Sequence, residues 1–522
     1  MRRRLIAAGA AAVLLGATMG VAQAGPSGDG PDNDTVLAEY AADTWHSFVK
    51  LVEPRTGLPA DNIGGDLHPR SRSDYTSPTN IGMYLWATLA ARDLGLIPAT
   101  EATERIGKTL RSVERLERHE PSGQFYNWYD PATLELLRTW PEPPGDPVYP
   151  FASSVDNGWL ASALVMVGNA VSEHSERATT LAESMDFGCY YDAEAKGPDA
   201  GAGLIRGGFW PIGDEPPGSD GFPRADYCDS GEDVVHTGHH YGAFNTEPRI
   251  ASYLGIAMGQ IPPEHYYGGW RTFPDTCDWN WQEAKPVGEW RTYLGVDVFE
   301  GASRYSDKRV VPTGGGSMFE ALMVPLVVPE EQWGPDSWAV THPLYVESQI
   351  EYGLDEAGYG YWGFSPASNP AGGYREYGVD AIGMEPNGYA TDVERLTLVD
   401  PGWDDPDCPR DPVPIEDYGQ GVVTPHAAFL ALEVAPEETM ANLHNLAADF
   451  PGLYGPGGFK DSVNVATGQI ADRYLALDQG MVMAAVTNEL LDGQLRGYLA
   501  ASLEPSLRPL MEVEEFGAGR VE

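Results

Sequence analysis

Gly158–Val171 reads Gly-Trp-Leu-Ala-Ser-Ala-Leu-Val-Met-Val-Gly-Asn-Ala-Val and carries no charged residue. It is too short to cross a bilayer, which takes about 20 apolar residues. It is also too evenly apolar for a surface helix, whose apolar residues form one stripe. The stretch therefore predicts a helix buried on all sides. Ala99–Leu116 reads differently: Ile106, Leu110 and Val113 share one face and charged residues fill the rest. Thr79–Leu94 spaces Ile81, Leu85, Leu89 and Leu94 for a buried face. Arg177–Met185, Pro248–Met258, Ser317–Val327, Pro343–Tyr352, Thr424–Leu432, Glu437–Ala448, Asp478–Leu491 and Leu495–Leu503 add further helical segments. Strand-like runs are confined to loops, for example Leu204–Trp210 and Tyr293–Val298. All-round apolar helices alternating with amphipathic ones specify a mainly α protein, an α/α toroid of helical hairpins with short β segments in its loops. A helical solenoid is disfavoured because no period of 20–50 residues recurs.

The ends of the chain carry separate signals. Arg2-Arg3-Arg4, the apolar Leu5–Leu15 and the small residues of Ala22-Gln23-Ala24 have the layout of a signal peptide, residues 1–24, cleaved after Ala24. Gly25 to Asn33 is rich in Gly, Pro and Asp, so residues 25–35 are expected to form a flexible leader. A single domain is expected over residues 36–515. The mature protein is then extracellular, with no membrane attachment. Export permits disulfides. Cys189, Cys228, Cys277 and Cys408 allow three pairings, of which Cys189–Cys228 joins the nearest pair and leaves Cys277–Cys408.

Charge narrows the partners. Among 522 residues, 77 Asp and Glu face 33 Lys and Arg, a net charge of -44. Phosphate-rich nucleic acids and anionic membranes would be repelled. A neutral ligand is favoured, and the loops suggest which. Tyr126-Asn127-Trp128-Tyr129-Asp130, Tyr266-Tyr267-Gly268-Gly269-Trp270, Trp279-Asn280-Trp281 and Tyr359-Gly360-Tyr361-Trp362 set aromatic rings beside amides and carboxylates. Flat apolar faces next to hydrogen-bonding groups suit sugar rings. Tyr126, Trp128, Trp270, Trp281, Tyr361, Trp362 and Tyr377 are the candidate substrate-binding residues.

Hydrolysis of a glycoside takes two carboxyl groups, one of them protonated. Glu320 follows the glycine run Gly314-Gly315-Gly316 and falls in the first turns of an apolar segment, where desolvation favours an acid role. A carboxylate that only opposes the helix dipole is the competing account. Asp156 and Glu247 each stand at the start of a helix, where capping would also explain them. Glu376 lies in the aromatic loop Tyr374–Gly378. Glu320, Glu247, Asp156 and Glu376 are the candidate catalytic residues. His236, His239 and His240 lack a zinc-motif glutamate, so no metal and no cofactor are expected. No Gly-x-Ser-x-Gly elbow or phosphate loop is present.

Several motifs, in order, resemble the glucoamylase-like domain family. They are Ser77-Pro78-Thr79-Asn80-Ile81-Gly82, Phe125–Asp130, Ser153–Gly158, Glu247–Tyr253, Gly316–Glu320, Tyr361-Trp362-Gly363-Phe364-Ser365, Tyr454-Gly455, Phe459-Lys460-Asp461 and Asp478-Gln479-Gly480-Met481. The resemblance spans roughly residues 36–515. Relatives in that family include endo-β-1,2-glucanases and the transglycosylase domain of cyclic β-1,2-glucan synthases. It implies an (α/α)6 toroid acting on glycosides, and it favours Glu320, Glu247 and Asp156. In synthase-like members a Glu follows the Trp-Gly-x-Ser stretch, whereas Pro366 stands here. The expectation is a secreted glycoside hydrolase acting on a neutral glucan, an endo-β-1,2-glucanase among the candidates. The alternative is a non-catalytic glycan-binding or cell-envelope protein on the same toroid. A metal-dependent lyase or hydrolase using the three histidines is a third, weaker reading.

Overall fold

The computed structural model describes residues 32–272, 286–384 and 421–521. Thirteen α-helices lie among them: α1 Asn33–Leu51, α2 Pro78–Asp93, α3 Ala99–Val113, α4 Ser154–Ala170, α5 Ser175–Glu183, α6 Arg249–Ala257, α7 Met318–Leu322, α8 Glu330–Trp333, α9 Trp338–Glu351, α10 Pro425–Leu430, α11 Pro436–Asp449, α12 Ala476–Leu490 and α13 Gln494–Met511. The fold is mainly α, with short strands in the connections.

The all-round apolar Gly158–Val171 joins an inner layer with α12 and with α2, whose spacing predicted only one buried face. Every residue of α2 from Pro78 to Ala91 is buried, and α4 and α12 are buried along most of their lengths. α2 packs on α4, α4 on α6, α7 on α10, α10 on α12, and α12 returns to α2. The remaining step, from α6 to α7, is bridged by the Arg249 guanidinium, which donates to the carbonyls of Glu320 and Ala321 at 2.9 and 2.7 Å. Outside this circuit, α3 packs on α2, α5 on α4, α9 on α7, α11 on α10, and α1 on α12. The outer helix α3 keeps its predicted stripe: Ile106, Leu110 and Val113 are buried while Lys108 and Arg111 are exposed. Glycines set the inner spacing. A Cβ on Gly82 would stand 2.7 Å from the Trp159 carbonyl oxygen, and one on Gly158 would stand 3.1 Å from the Ala251 nitrogen. The backbones of α2, α4 and α6 can approach this closely only because no side chain intervenes.

Several boundaries differ from expectation. α1 starts at Asn33, capped by the Asp32 side chain, so the chain is ordered inside the stretch assigned to the leader. Ser317–Val327 splits into the five-residue α7 and a 3-10 turn Val324–Leu326, because Pro325 cannot continue the helix. The last helix runs past Pro505 and Pro509 to Met511, held by buried Leu503, Leu507 and Leu510. Packing there outweighs the hydrogen bonds the two prolines remove. Tyr293–Val298 is a turn rather than one strand: Pro286–Tyr293 and Val296–Tyr305 pair as an antiparallel hairpin around Leu294 and Gly295, both at positive φ. Lys308–Val310 and Gly519–Arg520 extend that sheet, so the fold continues beyond residue 515.

Cys189 and Cys228 form the expected disulfide. Cys277, Cys408 and residues 1–24 lie outside the described residues. No helix of the described residues is long and apolar enough to cross a membrane.

Candidate active site

The first turns of the inner helices bring the site together. Asp156, Glu320 and Asp478 each occupy the third position of α4, α7 and α12. His426 is second in α10, Thr79 is second in α2, and Glu247 stands two residues before α6. A helix N-terminus carries partial positive charge, which helps retain carboxyl groups away from water.

Neither Asp156 nor Glu247 caps its helix through its side chain. Ser153 is the N-cap of α4, its hydroxyl accepting the Asp156 N–H at 3.2 Å. The Asp156 carboxylate is thereby free to turn inward, where Thr79 Oγ1 and Asn127 Nδ2 donate to it at 2.6 and 3.0 Å. Pro248 is the N-cap of α6 and makes no side-chain cap bond. The Glu247 N–H instead donates to Glu320 Oε2 at 2.7 Å, and Trp159 Nε1 donates to Glu247 Oε2 at 2.8 Å. Ser317 caps α7 and orients Glu320. The preceding loop requires Gly316, at φ +68, because a Cβ there would lie 1.9 Å from the Val379 carbonyl oxygen.

The two glutamates are hard to ionise. Burial first, then the neighbouring Glu320 charge, push Glu247 far above the usual carboxylate range. Burial raises Glu320 to about 7, against opposing pulls from the Glu247 N–H and Arg249. The two titrate as a pair. Both open onto a cavity of about 700 Å³, which is also lined by Trp270, Tyr374, Glu376, Tyr377, His239, His240 and Pro366. Lys196 lies 4.8 Å from the centre of the Trp270 ring and donates to the Gly268 carbonyl, fixing that side of the cavity. The Tyr374 ring is 53 % exposed because it stands in the cavity. Its hydroxyl end lies deep, where desolvation and the carboxyls of Asp478, Asp461, Glu247 and Asp61 all raise the phenol.

A second acidic group was not singled out from the sequence. Asp461 and Asp478 are each 2 % exposed. Burial raises Asp461 well above its ordinary range and Asp478 to about 7. Asp61 accepts from Asn62 and Asn80 and is also raised by burial. The motifs Phe459-Lys460-Asp461 and Asp478-Gln479-Gly480-Met481 were visible, but nothing local marks their acids as buried.

The aromatic candidates divide. Trp270 and Tyr377 line the cavity, although Tyr377 is fully buried and accepts from Asn369 Nδ2. Tyr126, Trp128, Tyr361 and Trp362 are not among the lining residues. Trp362 is a core residue at 1 % exposure, and Tyr126 is buried too. Trp128 packs edge-on to Tyr75 and Trp140. Tyr361 bonds Asp449 of α11 and packs on Phe450. Trp281 lies outside the described residues. Of the histidines, His240 bonds Asp192 Oδ2 at 2.9 Å, and His236 is wholly buried against Tyr227. Among the described residues, neither they nor His239 belong to a group close enough to share a metal ion.

Raised carboxyl values fix a sign for stability. Glu320 holds its proton up to about 7, whereas its ordinary value is 4.5. Between those values the folded state binds more protons than the unfolded one, so stability falls as pH climbs. The contribution is complete below about 4.5 and gone above 7. The melting temperature is expected to fall from pH 5 to pH 7.5, and to fall less steeply in Glu320→Gln. Equal slopes for the two proteins would show that Glu320 ionises normally.

The chain resembles known proteins along most of its length. Residues 286–499 match the family model described as "Putative glucoamylase", and residues 39–190 match "Protein of unknown function (DUF3131)". The cyclic beta-(1,2)-glucan synthase NdvB of Rhizobium meliloti is 23% identical over 92% of this chain, which covers 18% of that protein. An exo beta-1,2-glucooligosaccharide sophorohydrolase of Parabacteroides distasonis is 20% identical over 84% of this chain and 52% of its own length. The chain thus spans under a fifth of the first relative and about half of the second. The endo-beta-1,2-glucanase structure from Chitinophaga pinensis superposes with a TM-score of 0.59 at 16% identity, covering 92% of this chain and 98% of the other. Residues 286–499 thus resemble a glucoamylase family model, and the chain is similar to a cyclic beta-(1,2)-glucan synthase and to an exo beta-1,2-glucooligosaccharide sophorohydrolase.

Proposed function

We propose that this chain is a secreted glycoside hydrolase that cleaves a neutral glucan, with β-1,2-glucan the foremost substrate. The single observation that carries the reading is the Glu247–Glu320 pair, two interacting carboxyls held partly protonated on a sugar-sized cavity. One proton kept near neutral pH is what a leaving glycosidic oxygen requires. In this reading the pair supplies the proton, with Glu320 as donor. Asp156, bound by Thr79 and Asn127, adds negative charge that helps keep Glu247 protonated. Glu376 is the third carboxyl on the cavity and the partner that activates water or attacks the sugar. Trp270 supplies a sugar-stacking face.

The circuit of inner helices with an outer helix on most of them supports an (α/α)6 toroid, whose N-terminal end holds the cavity. The Cys189–Cys228 disulfide supports an oxidising destination and hence export. The names of the relatives support the β-1,2 linkage.

The test is chromatography of products after incubating the protein with β-1,2-glucan and a panel of other neutral glucans. Oligosaccharides released from one glucan, and lost in Glu320→Gln, are expected. Pro366 on the cavity wall favours one other reading, a glycan-binding protein without catalysis. Tight binding with no new reducing ends would establish that instead.

Trp159→Phe deletes the only side-chain donor to Glu247 Oε2 among the described residues. Since that bond lowers the Glu247 value, its loss raises it. The alkaline limb of the pH–rate profile is expected to move upward, with turnover falling about tenfold, the size of one lost hydrogen bond. An unmoved limb would detach Glu247 from the proton transfer.

A further inference from the structure

His426, Asp461 and Asp478 form a cluster that the hydrolytic reading leaves unused. One potential ligand atom from each lies within 4.8 Å of the others, and the three residues are 4 %, 2 % and 2 % exposed. The surrounding bonds hold them without completing them. The Ser368 N–H donates to Asp461 Oδ2 at 2.6 Å, leaving Oδ1 unpartnered. Thr424 Oγ1 donates to the Asp461 carbonyl at 2.6 Å and lies 2.8 Å from His426 Nδ1. Among the described residues, no donor group bonds either Asp478 oxygen or His426 Nε2. Asp478 Oδ2 lies 3.5 Å from His426 Nδ1, and its carboxyl stands within hydrogen-bonding reach of the Asp461 carboxyl. Among the described residues, no Lys or Arg forms an ion pair with either carboxylate. Buried acceptors that lack donors are costly, and charged ones most of all.

We infer that His426, Asp461 and Asp478 hold a divalent cation at the junction of α10, α12 and the Gly458–Asn464 segment. A cation held by one oxygen of each aspartate would neutralise two charges that repel each other and would give each buried carboxylate a partner. Metal–ligand distances of about 2.0–2.2 Å place opposite ligands a little over 4 Å apart, so the cluster closes on an ion with a small contraction. One imidazole with two carboxylates suits Zn²⁺ or Mn²⁺ better than Mg²⁺ or Ca²⁺, which favour all-oxygen sets. Thr424 supplies the outer support that orients a ligating histidine. The sequence reading expected no metal because the His236–His240 loop lacks a zinc-motif glutamate; His426, Asp461 and Asp478 are too far apart along the chain to form a motif.

The test is independent of hydrolysis. The full-length protein is stripped with a chelator, then titrated with ZnCl₂ and with MnCl₂ by calorimetry, while metal content before stripping is measured by elemental analysis. The expected result is one ion per chain, a melting temperature raised by several degrees on binding, and affinity at least tenfold weaker in Asp461→Asn and in His426→Gln. The isosteric Asp478→Asn serves as the third variant if either of those fails to fold. No ion in the purified protein and no binding heat with either metal would overturn the site and leave a proton shared between the two aspartates. Binding of undiminished affinity in the folded variants would overturn it equally, since the ion would then sit elsewhere.

Discussion

Glu320→Gln is expected to lower turnover of the susceptible glucan by about a thousandfold, within the range for loss of a general acid or base. The amide keeps the shape of the side chain and can still meet the Glu247 N–H, now 2.7 Å from Glu320 Oε2, through its carbonyl oxygen. Substrate affinity should therefore change little, and the loss should fall on kcat. The wild-type rate should decline above a midpoint near 7, where burial has placed this carboxyl. That midpoint belongs to the Glu247–Glu320 pair. In Glu320→Gln the neighbouring charge that helps raise Glu247 is gone, so any residual activity should decline from a lower pH. Turnover within a few fold of wild type would remove Glu320 from the chemistry.

The second large effect concerns stability. Arg249 is 4 % exposed, and all five of its N–H groups are used. Nε and Nη2 donate to the two oxygens of Glu330 at 2.8 and 2.9 Å. Nη1 donates to the carbonyls of Thr246 and Glu320, and Nη2 also to that of Ala321. Glu330 is wholly buried and takes a further bond from the Tyr253 hydroxyl at 2.7 Å. Arg249→Met would leave that carboxylate without its counter-charge and take a side-chain donor from three carbonyls, of which that of Thr246 keeps the backbone N–H of residue 249. A cost of about 3–5 kcal/mol is expected, the usual result of removing one partner from a buried pair. Denaturant unfolding reads it directly. Arg249→Met combined with Glu330→Gln should recover part of the loss, because the stranded charge is removed as well. A single-variant cost below about 1 kcal/mol would mean that water reaches Glu330.

Reading the helices from the sequence worked where burial has a local signature. Gly158–Val171 is apolar on every face, and it lies in the inner helix α4. Asn33–Leu51 was missed as a helix although Leu37, Ala41, Trp45 and Phe48 recur at helical spacing. Its first residues had been assigned to the polar leader. Glu320 and Glu247 stood out because a glycine run or a proline marks the start of a helix beside them. Asp461 had no such mark: it follows Lys460, whose side chain turns away to Asp472 at 2.6 Å. Aromatic loops were the least legible. Trp270 faces a cavity and Trp362 the core, and nothing adjacent in sequence distinguishes them. Which face of a ring meets solvent is decided by the helix packed against it.

The helix ends that converge on the cavity come from distant parts of the chain, from Thr79 in α2 to Asp478 in α12. During synthesis, a chain that ends before Ala476 can form most of the helices but leaves α2 without one of its two inner neighbours. A product lacking α12 lacks Leu477 on the cavity wall and the packing of α12 on α2, so the proposed grip on a glycan is expected only after α12 has been made. A proteolytic cut between α10 and α12 should therefore abolish ligand binding while sparing much of the helical content.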